Sequence, residues 1–583
     1  MGEKQRTVYW DTEDNSPELF KTGRSGLEKV CTQIAAMDCE GERFYLRPTV
    51  IASNKKNGIT RHRWNVEPFF NWLASRGPKC VAYAHNTQYD LGNLVADELD
   101  RINVTMVGGR LVTATWDNVK FNDTANIFPM PLKKLGETVG IKKLEMDVNN
   151  PDYVWQDVRI VEAGVKLLRS ICDEYQVEPA ATLGGLCVRI WQAMGGYNWP
   201  CSLQSAREAF FGGRTELWAP AMEGNLWYTD VNSLYPSVMR QKFPTGDDLW
   251  FGLDNLDRAK ELLVSDKECY GLIEAEILIP DMRVAPLPVR RDDDSVYFPI
   301  GRVCGWWTVA EVRAAFAKGA KLVKMFNAFG SRTGEAYYSD FVEHFYAKRR
   351  VEKDEGRKLM LKLLMNNLYG QLGMSGKVTR SLRLANHAAL VDGEWMQTKD
   401  GIPYGEKLLA ETQMPLGEHV NWMHAAHVTS YGRLRLQHFL DQIPPDDLVY
   451  CDTDSIFFRA ENPPFPVSDV LGEMKLETRL THALCKAPKM YRITEMGKDK
   501  PVTKVKGVPR RDGLAEKMFD TGSVAFEQPY KLREAIQFFD ANRASHDSKT
   551  RILSAWRTVT KRVISEYDKK SLQGGHYFPI VHG

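Results

Sequence analysis

Apolar residues crowd the segment TVYWDTE from Thr7 to Glu13, and a second run, CVAYAHN, ends in polar residues at His85 and Asn86. Both are short and rich in β-formers, so they predict strands. After Gln156 the string VRIVEAGVKLLRSI repeats its apolar positions at helical spacing and predicts a helix. Strand, strand, helix over the first part of the chain predicts an α/β unit of one domain's length. Between residues 195 and 213, GGYNWP and FFGGR supply Gly, Pro and Asn breakers, and a domain boundary is expected there. The second part opens with another strand, LWYTDV. A long amphipathic stretch runs from Asp340 to Leu372, and Gly356 interrupts it, predicting two helices in a hairpin. Further on, DDLVYCDTDSIFFRA places apolar runs on both sides of a short polar tip and predicts a β-hairpin that presents acidic residues. No internal repeat or low-complexity tract is visible.

The chain has 583 residues, 43% of them hydrophobic and 11% aromatic, enough for at least two cores. The net charge of +2 gives no global sign of a polyanion-binding protein, so any such surface must be local. From Lys486 onward there are 20 Lys and Arg against 11 Asp and Glu, leaving the remainder acidic. That polarity suits an enzyme that grips phosphates at one end, or equally a solvated helical face. Asp292-Asp293-Asp294 reads as an exposed turn. Ten cysteines without a CxxC pair argue against a disulfide framework or structural zinc, and no signal-peptide core or apolar window of membrane length is seen. An intracellular, cytoplasmic protein without a membrane partner is expected.

Asp11 and Glu13 lie two apart on a strand and so share a face, opposite Trp10 and Thr12. Asp90, after the second strand, and Asp157, at the start of the helix, can join them. Four converging carboxylates can hold two divalent ions for an in-line phosphoryl displacement. Taken singly, each is more often a solvated face or a helix cap. A second set comprises Asp230, at the end of an apolar strand, with Asp452 and Asp454 at the hairpin tip. Acids set between apolar strands are costly without a cation or strong donor, so a metal role outranks a structural one. Between them Lys362, Asn366 and Tyr369 fall at i, i+4 and i+7 on one helix face, with Lys358 a turn earlier. The stripe could bind a triphosphate and stack on a base, although alone it would be an ordinary polar face.

These residues resemble the family B DNA polymerases, and among them the protein-primed branch of small phages and linear replicons. DVNSLYPS at 230 to 237 resembles polymerase motif A, KLLMNNLYG at 362 to 370 motif B, and YCDTDS at 450 to 455 motif C. Asp11-Thr12-Glu13, Asn86 to Asp90 and Tyr153 to Asp157 resemble the three motifs of a proofreading exonuclease. Smaller matches point to the protein-primed branch: Thr429 to Arg433 resembles its template-binding TxxGR element, Lys489-Met490-Tyr491 its KxY element, and Phe210-Phe211-Gly212-Gly213 its YxGG linker. Phe210 stands where the linker has Tyr, so that hydroxyl's hydrogen bond is lost while stacking survives. Asp123-Thr124-Ala125 through Phe128 is a loose counterpart of a further exonuclease element.

The resemblance implies an α+β multidomain fold: a ribonuclease-H-like α/β 3′-to-5′ exonuclease over 1–205, then a right-hand polymerase over 206–583. In the latter the palm is expected at about 206–240 and 430–510, insertions at about 241–335 and 373–428, fingers at about 340–372 and the thumb at about 511–583. It implies that Asp230, Asp454 and the Val231 carbonyl hold two Mg²⁺ ions, replaceable by Mn²⁺, with Asp452 assisting. Lys362, Lys358, Asn366, Tyr369 and Tyr235 are expected to contact the incoming nucleotide, Tyr235 excluding a 2′-hydroxyl. Asp11, Glu13, Asp90 and Asp157 are expected to hold the exonuclease metals and Tyr153 to orient the attacking water. Asn86, Thr124, Gly212, Gly213, Thr429, Arg433, Lys489 and Tyr491 are expected to contact DNA. The implied partners are template and primer DNA, deoxynucleoside triphosphates and a priming terminal protein, acting with a monomeric enzyme capable of strand displacement. Two rivals stand beside this reading: a nucleic-acid-primed or primer-independent family B polymerase of a mobile element, and a non-catalytic DNA-binding protein with a decayed polymerase fold.

Overall fold

The computed structural model describes residues 6–14, 31–56, 59–95, 102–107, 110–145, 147, 150–247, 249–251, 263, 269–374, 380–386, 402–404, 407–413, 416–509, 511–529, 556–562, 572–573, 576–577 and 579–582. Parts of the expected insertions and most of the expected thumb therefore lie outside the described residues.

A seven-stranded sheet forms first. Within it the strand Arg6–Asp14 pairs antiparallel with Cys31–Asp38 and parallel with the central strand Cys80–Ala84, which in turn pairs parallel with Val119–Asp123. The alternation of side chains explains the layers. Val8 and Trp10 point into an apolar cluster, where the Trp10 ring meets Phe69 at 5.5 Å and Phe121 at 5.7 Å. Tyr9 points the other way, toward Val154, Val158, Val161 and Val165 of the helix Pro151–Tyr175. Asp11 and Glu13 continue the Tyr9 face and therefore run out under the first turns of that helix. Asn150 caps it, its side chain accepting from the Asp152 amide, and Pro151 occupies a first-turn position that needs no donor.

A second seven-stranded sheet carries the hairpin Leu448–Asp452 and Ser455–Arg459 beside the long strand Ala221–Val231, in the order 215–217, 448–452, 455–459, 221–231, 474–487, 490–495, 502–505. The hairpin is as expected, with Asp452 opposite Ser455 and Thr453 in the left-handed region at φ 64°. Asp230 also pairs with Ser455, and the Val231 amide donates to the Asp454 carbonyl at 2.7 Å, so Asp230 and the hairpin tip share one end of the sheet. A five-stranded sheet built on Tyr270–Ile279, Ile300–Thr308 and Lys321–Ser331 fills part of the expected first insertion. Asp292 to Asp294 form an exposed turn.

The expected helical hairpin is present, but its break lies elsewhere. The helices are Ser339–Val351 and Glu355–Leu372, separated where Glu352 turns extended and Asp354 caps the second helix by accepting from the Arg357 amide at 2.8 Å. Gly356 sits inside the first turn of the second helix; a Cβ there would come 3.1 Å from Leu167 Cδ2. Its lack of a side chain serves close packing and does not end a helix.

Candidate active sites

The first acidic cluster is assembled by the strand and helix just described. Ligand oxygens of Asp11, Glu13 and Asp157 lie within 4.8 Å of one another, and all three residues are buried. Asp90 lines the same cavity of about 600 Å³, with its carboxylate accepting from the Thr12 amide at 3.1 Å and the Thr12 hydroxyl at 2.8 Å. All four carboxylates predicted to converge thus border one space.

Burial and the charges of Asp90 and Asp157 hold the Asp11 carboxyl well above its ordinary range. Burial, then Asp157, pushes Glu13 up to about 8, and burial raises Asp157 against the opposing pull of Lys143. Lys143 donates to Asp157, and its ammonium lies 4.6 Å from the Tyr153 ring centre. No periodicity in the sequence marked Lys143; only its position ten residues before Tyr153 could have drawn notice. A divalent cation fits this cluster: Asp157 Oδ1 is buried with no hydrogen-bond partner among the described residues, and three hard oxygens already converge.

On the other wall of the cavity are Asn86, in the left-handed region at φ 72°, His85 and Arg110. Thr124 does not line it. That residue is fully buried, reaches the Ala84 carbonyl at 2.9 Å, and meets His85 Nδ1 at 2.9 Å. Thr124 thus packs against His85, away from the cavity where contact with DNA was expected.

In the second cluster burial, then the neighbouring Asp454, pushes Asp230 up to about 7, with Glu477 adding to the rise and Lys362 opposing it. Glu477 was missed in the sequence; it occupies an irregularity in pairing between Tyr228 and Thr229 that brings it near Asp230. Burial and Asp452 push Asp454 up to about 6. Asp452 itself is tied down, accepting from Lys489 Nζ at 2.7 Å, Thr215 Oγ1 at 3.1 Å and Thr453 Oγ1 at 3.2 Å. Two buried, crowded carboxylates at one end of the sheet again suit a divalent cation.

Lys362 is exposed and Asn366 and Tyr369 half-buried on one side of their helix, while Lys358 pairs with Glu355 at 3.4 Å. The Tyr369 ring lies 4.4 Å from that of Tyr235. Ser233, left-handed at φ 50°, turns the chain sharply after Val231 to begin the short helix of Tyr235. Gly432 admits the Tyr235 ring, whose Cε1 would lie 3.1 Å from a Cβ there.

Several residues expected on DNA are instead internal. Thr429 and Arg433 lie within the helix Trp422–Leu440 and are 3% and 4% exposed. Thr429 bonds back to the Ala425 and Ala426 carbonyls, and Arg433 forms a buried pair with Glu311 at 2.7 Å. The Tyr491 ring is buried against Phe457 and Tyr450, at 5.2 and 5.7 Å. Gly213 lies against Thr453, and Gly212 is exposed with its carbonyl engaged by Arg433 at 2.8 Å.

Comparison with known proteins points one way. Residues 122–403 match the family of type B DNA polymerases, organellar and viral. The resemblance to the family B polymerases holds. Curated relatives include a probable DNA polymerase of Ascobolus immersus, 28% identical over 49% of this chain and 24% of the relative, and one of Agaricus bitorquis, 23% identical over 67% of this chain and 53% of the relative. The chain therefore spans between a quarter and about half of the length of these relatives. The fold is that of Phi29 DNA polymerase: its orthorhombic crystal form superposes with a TM-score of 0.66 at 15% identity, covering 91% of this chain and 96% of that one. Its complex with primer-template DNA and incoming nucleotides gives 0.64 at 13% identity, covering 97% and 100%. No helix among the described residues is long and apolar enough to cross a membrane.

Proposed function

We propose that this chain is a template-directed DNA polymerase with a 3′-to-5′ proofreading exonuclease, the exonuclease occupying 1–205 and the polymerase 206–583. The observation that carries the reading is the pair of acidic centres on two separate sheets, the second faced by Lys362. At the second centre Asp230 and Asp454 hold divalent metal, Mg²⁺ in the first instance. Bound there, the metal lowers the pKa of a primer 3′-hydroxyl and neutralises charge on the triphosphate. Lys362 neutralises further phosphate charge, the Tyr369 ring packs on the nascent base pair, and the Tyr235 ring beside it closes the space a 2′-hydroxyl would need. Lys489 and Thr215 keep Asp452 in one orientation by engaging its carboxylate.

At the first centre Asp11, Glu13 and Asp157 hold metal, with Asp90 kept in line by Thr12. Tyr153, beside Lys143, orients the attacking water. Asn86 grips the frayed single strand that enters the cavity. Initiation from a terminal protein and strand displacement rest on the protein-primed motifs and on the Phi29-like fold.

Extension of a DNA template with Mg²⁺ and deoxynucleotides, with and without an oligonucleotide primer, tests the reading, with Asp452→Ala as the blank. Primer-dependent product that the variant loses is expected. Product formed without any primer would favour a primer-independent polymerase, and no product a decayed fold.

A further inference from the structure

Asp452 leads into, and Asp454 sits on, a two-residue turn, and a turn that short has little of its own to fix its attitude. Around it the chain supplies a set of contacts that reach beyond the carboxylates themselves. The Thr453 amide donates to the Arg214 carbonyl at 2.6 Å. Thr215 pairs with Asp452 across the strands and donates to its carboxylate. Gly213 lies so close that a Cβ would be 2.7 Å from Thr453 Cγ2. The segment from Phe211 to Thr215 is therefore laid directly against the turn.

What holds that segment down comes from two other parts of the chain. Arg433 Nη1 donates to the Phe211 carbonyl at 2.9 Å and the Gly212 carbonyl at 2.8 Å, while its Nε donates to Glu311 at 2.7 Å. Glu311 is 1% exposed and lies in the first turn of the helix Val309–Ala317, which Thr308 caps. Thr308 and Ser430, one turn before Arg433, meet hydroxyl to hydroxyl at 2.6 Å. On the other side of the turn, Arg214 is itself fixed by Glu216 at 2.9 Å and Gln437 at 2.6 Å. Two buried arginines thus anchor one loop.

We propose that Arg433 and Glu311 are positioning residues of the second centre: they clamp the Phe211–Arg214 segment onto the Thr453 turn and so set the attitude of Asp452 and Asp454. The reading of that centre as the polymerising one underlies this role. A buried ion pair is poor evidence for stability but a sound device for fixing one arrangement. The guanidinium fork suits the task because it reaches a carboxylate and two carbonyls at once, which an ammonium cannot. Arg433 is 4% exposed, and its Nε and Nη1 are already committed to protein acceptors.

The test uses the full chain, with Gly213→Ala, Arg433→Lys, Thr453→Gly and the double variant Gly213→Ala/Thr453→Gly. Glycine suits the left-handed backbone at 453 and removes every atom the new methyl meets. Gly213→Ala is expected to lower kcat of primer extension by about 10- to 100-fold, with KM for nucleotide and the degradation of single-stranded DNA changed less than about twofold. The double variant should return to the level of Thr453→Gly alone, and Arg433→Lys should show the same kcat-selective loss in weaker form. Wild-type extension that Asp454→Ala abolishes separates a failure of the positioning role from a failure of the polymerase reading. Normal kcat in Gly213→Ala would overturn the proposal. So would an Arg433→Lys variant whose only change is weaker DNA binding with a shallower salt dependence, since that is the mark of a phosphate contact.

Discussion

The two acidic centres solve one electrostatic problem differently. In the first, three carboxylates from a strand and a helix are packed together in a buried cluster, and Lys143 from a neighbouring loop supplies a built-in countercharge. In the second, Asp230 and Asp454 meet at the end of a sheet, with countercharge arriving from a facing helix through Lys362, while Asp452 is held apart by Lys489. On the proposed reading, the first centre keeps its lysine bonded to a carboxylate and has only a strand end to admit, whereas the exposed Lys362 is available to substrate phosphate. A carboxylate set alone does not distinguish the two proposed chemistries; the source of the balancing charge does.

Removing Lys143 should break the comparison most strongly. Lys143→Met leaves Asp157 without its partner and is expected to cut degradation of single-stranded DNA by roughly 100-fold, in line with the several kcal/mol a buried charge loses with its partner. Since Lys143 opposes the rise of Glu13 and Asp157, its loss raises both, and the ascending limb of the pH profile should move to higher pH. Primer extension should hardly change. A profile left in place would show that Lys143 is remote from the chemistry.

A smaller effect is expected at the second centre. Tyr235→Val removes the ring that packs on Tyr369 and should relax discrimination against ribonucleotides by about tenfold, a change of the size a lost side-chain contact gives in a specificity pocket. Unchanged discrimination in competing incorporation assays would remove that role from Tyr235.

The smallest effect is on stability. Glu13 and Asp230 have folded-state values of about 8 and about 7 against ordinary values of 4.5 and 3.8, so between those limits the folded chain keeps protons that the unfolded chain has released. Stability without metal should therefore fall as pH rises from about 4 to 8, by a few degrees in the melting midpoint. Added divalent cation should restore more at pH 8 than at pH 5. Melting in chelator that is flat or rises across this window would contradict the crowding described for both centres.

How much of this was legible in the sequence varies with the kind of contact. Asp11 and Glu13 could be placed on one face because a strand's period is two, and Asp157 because it opens the predicted helix and falls in a segment that resembles an exonuclease motif. The hairpin tip was legible because apolar runs flank it. Arg433 was assigned from a motif alone, without asking where its helix lay. The small residues all around HAAHVTSYG, with apolar residues following, mark a helix enclosed by neighbours, and that signal was available. Gly356 was read as a breaker, yet Asp354, a good cap three residues before an amide, marked the true start. Lys143 and Glu477 were not legible: one sits in a loop and the other at a pairing irregularity, and neither has a period to betray it.

The most direct measurement compares two variants in one assay. Asp454→Ala and Asp11→Ala/Glu13→Ala are each followed on a labelled primer-template, with deoxynucleotides to read extension and without them to read degradation. Asp454→Ala is expected to degrade the primer but not extend it, and the double variant to extend it but not degrade it. Loss of both activities in either variant would contradict two separate centres and indicate a single site or a shared structural fault.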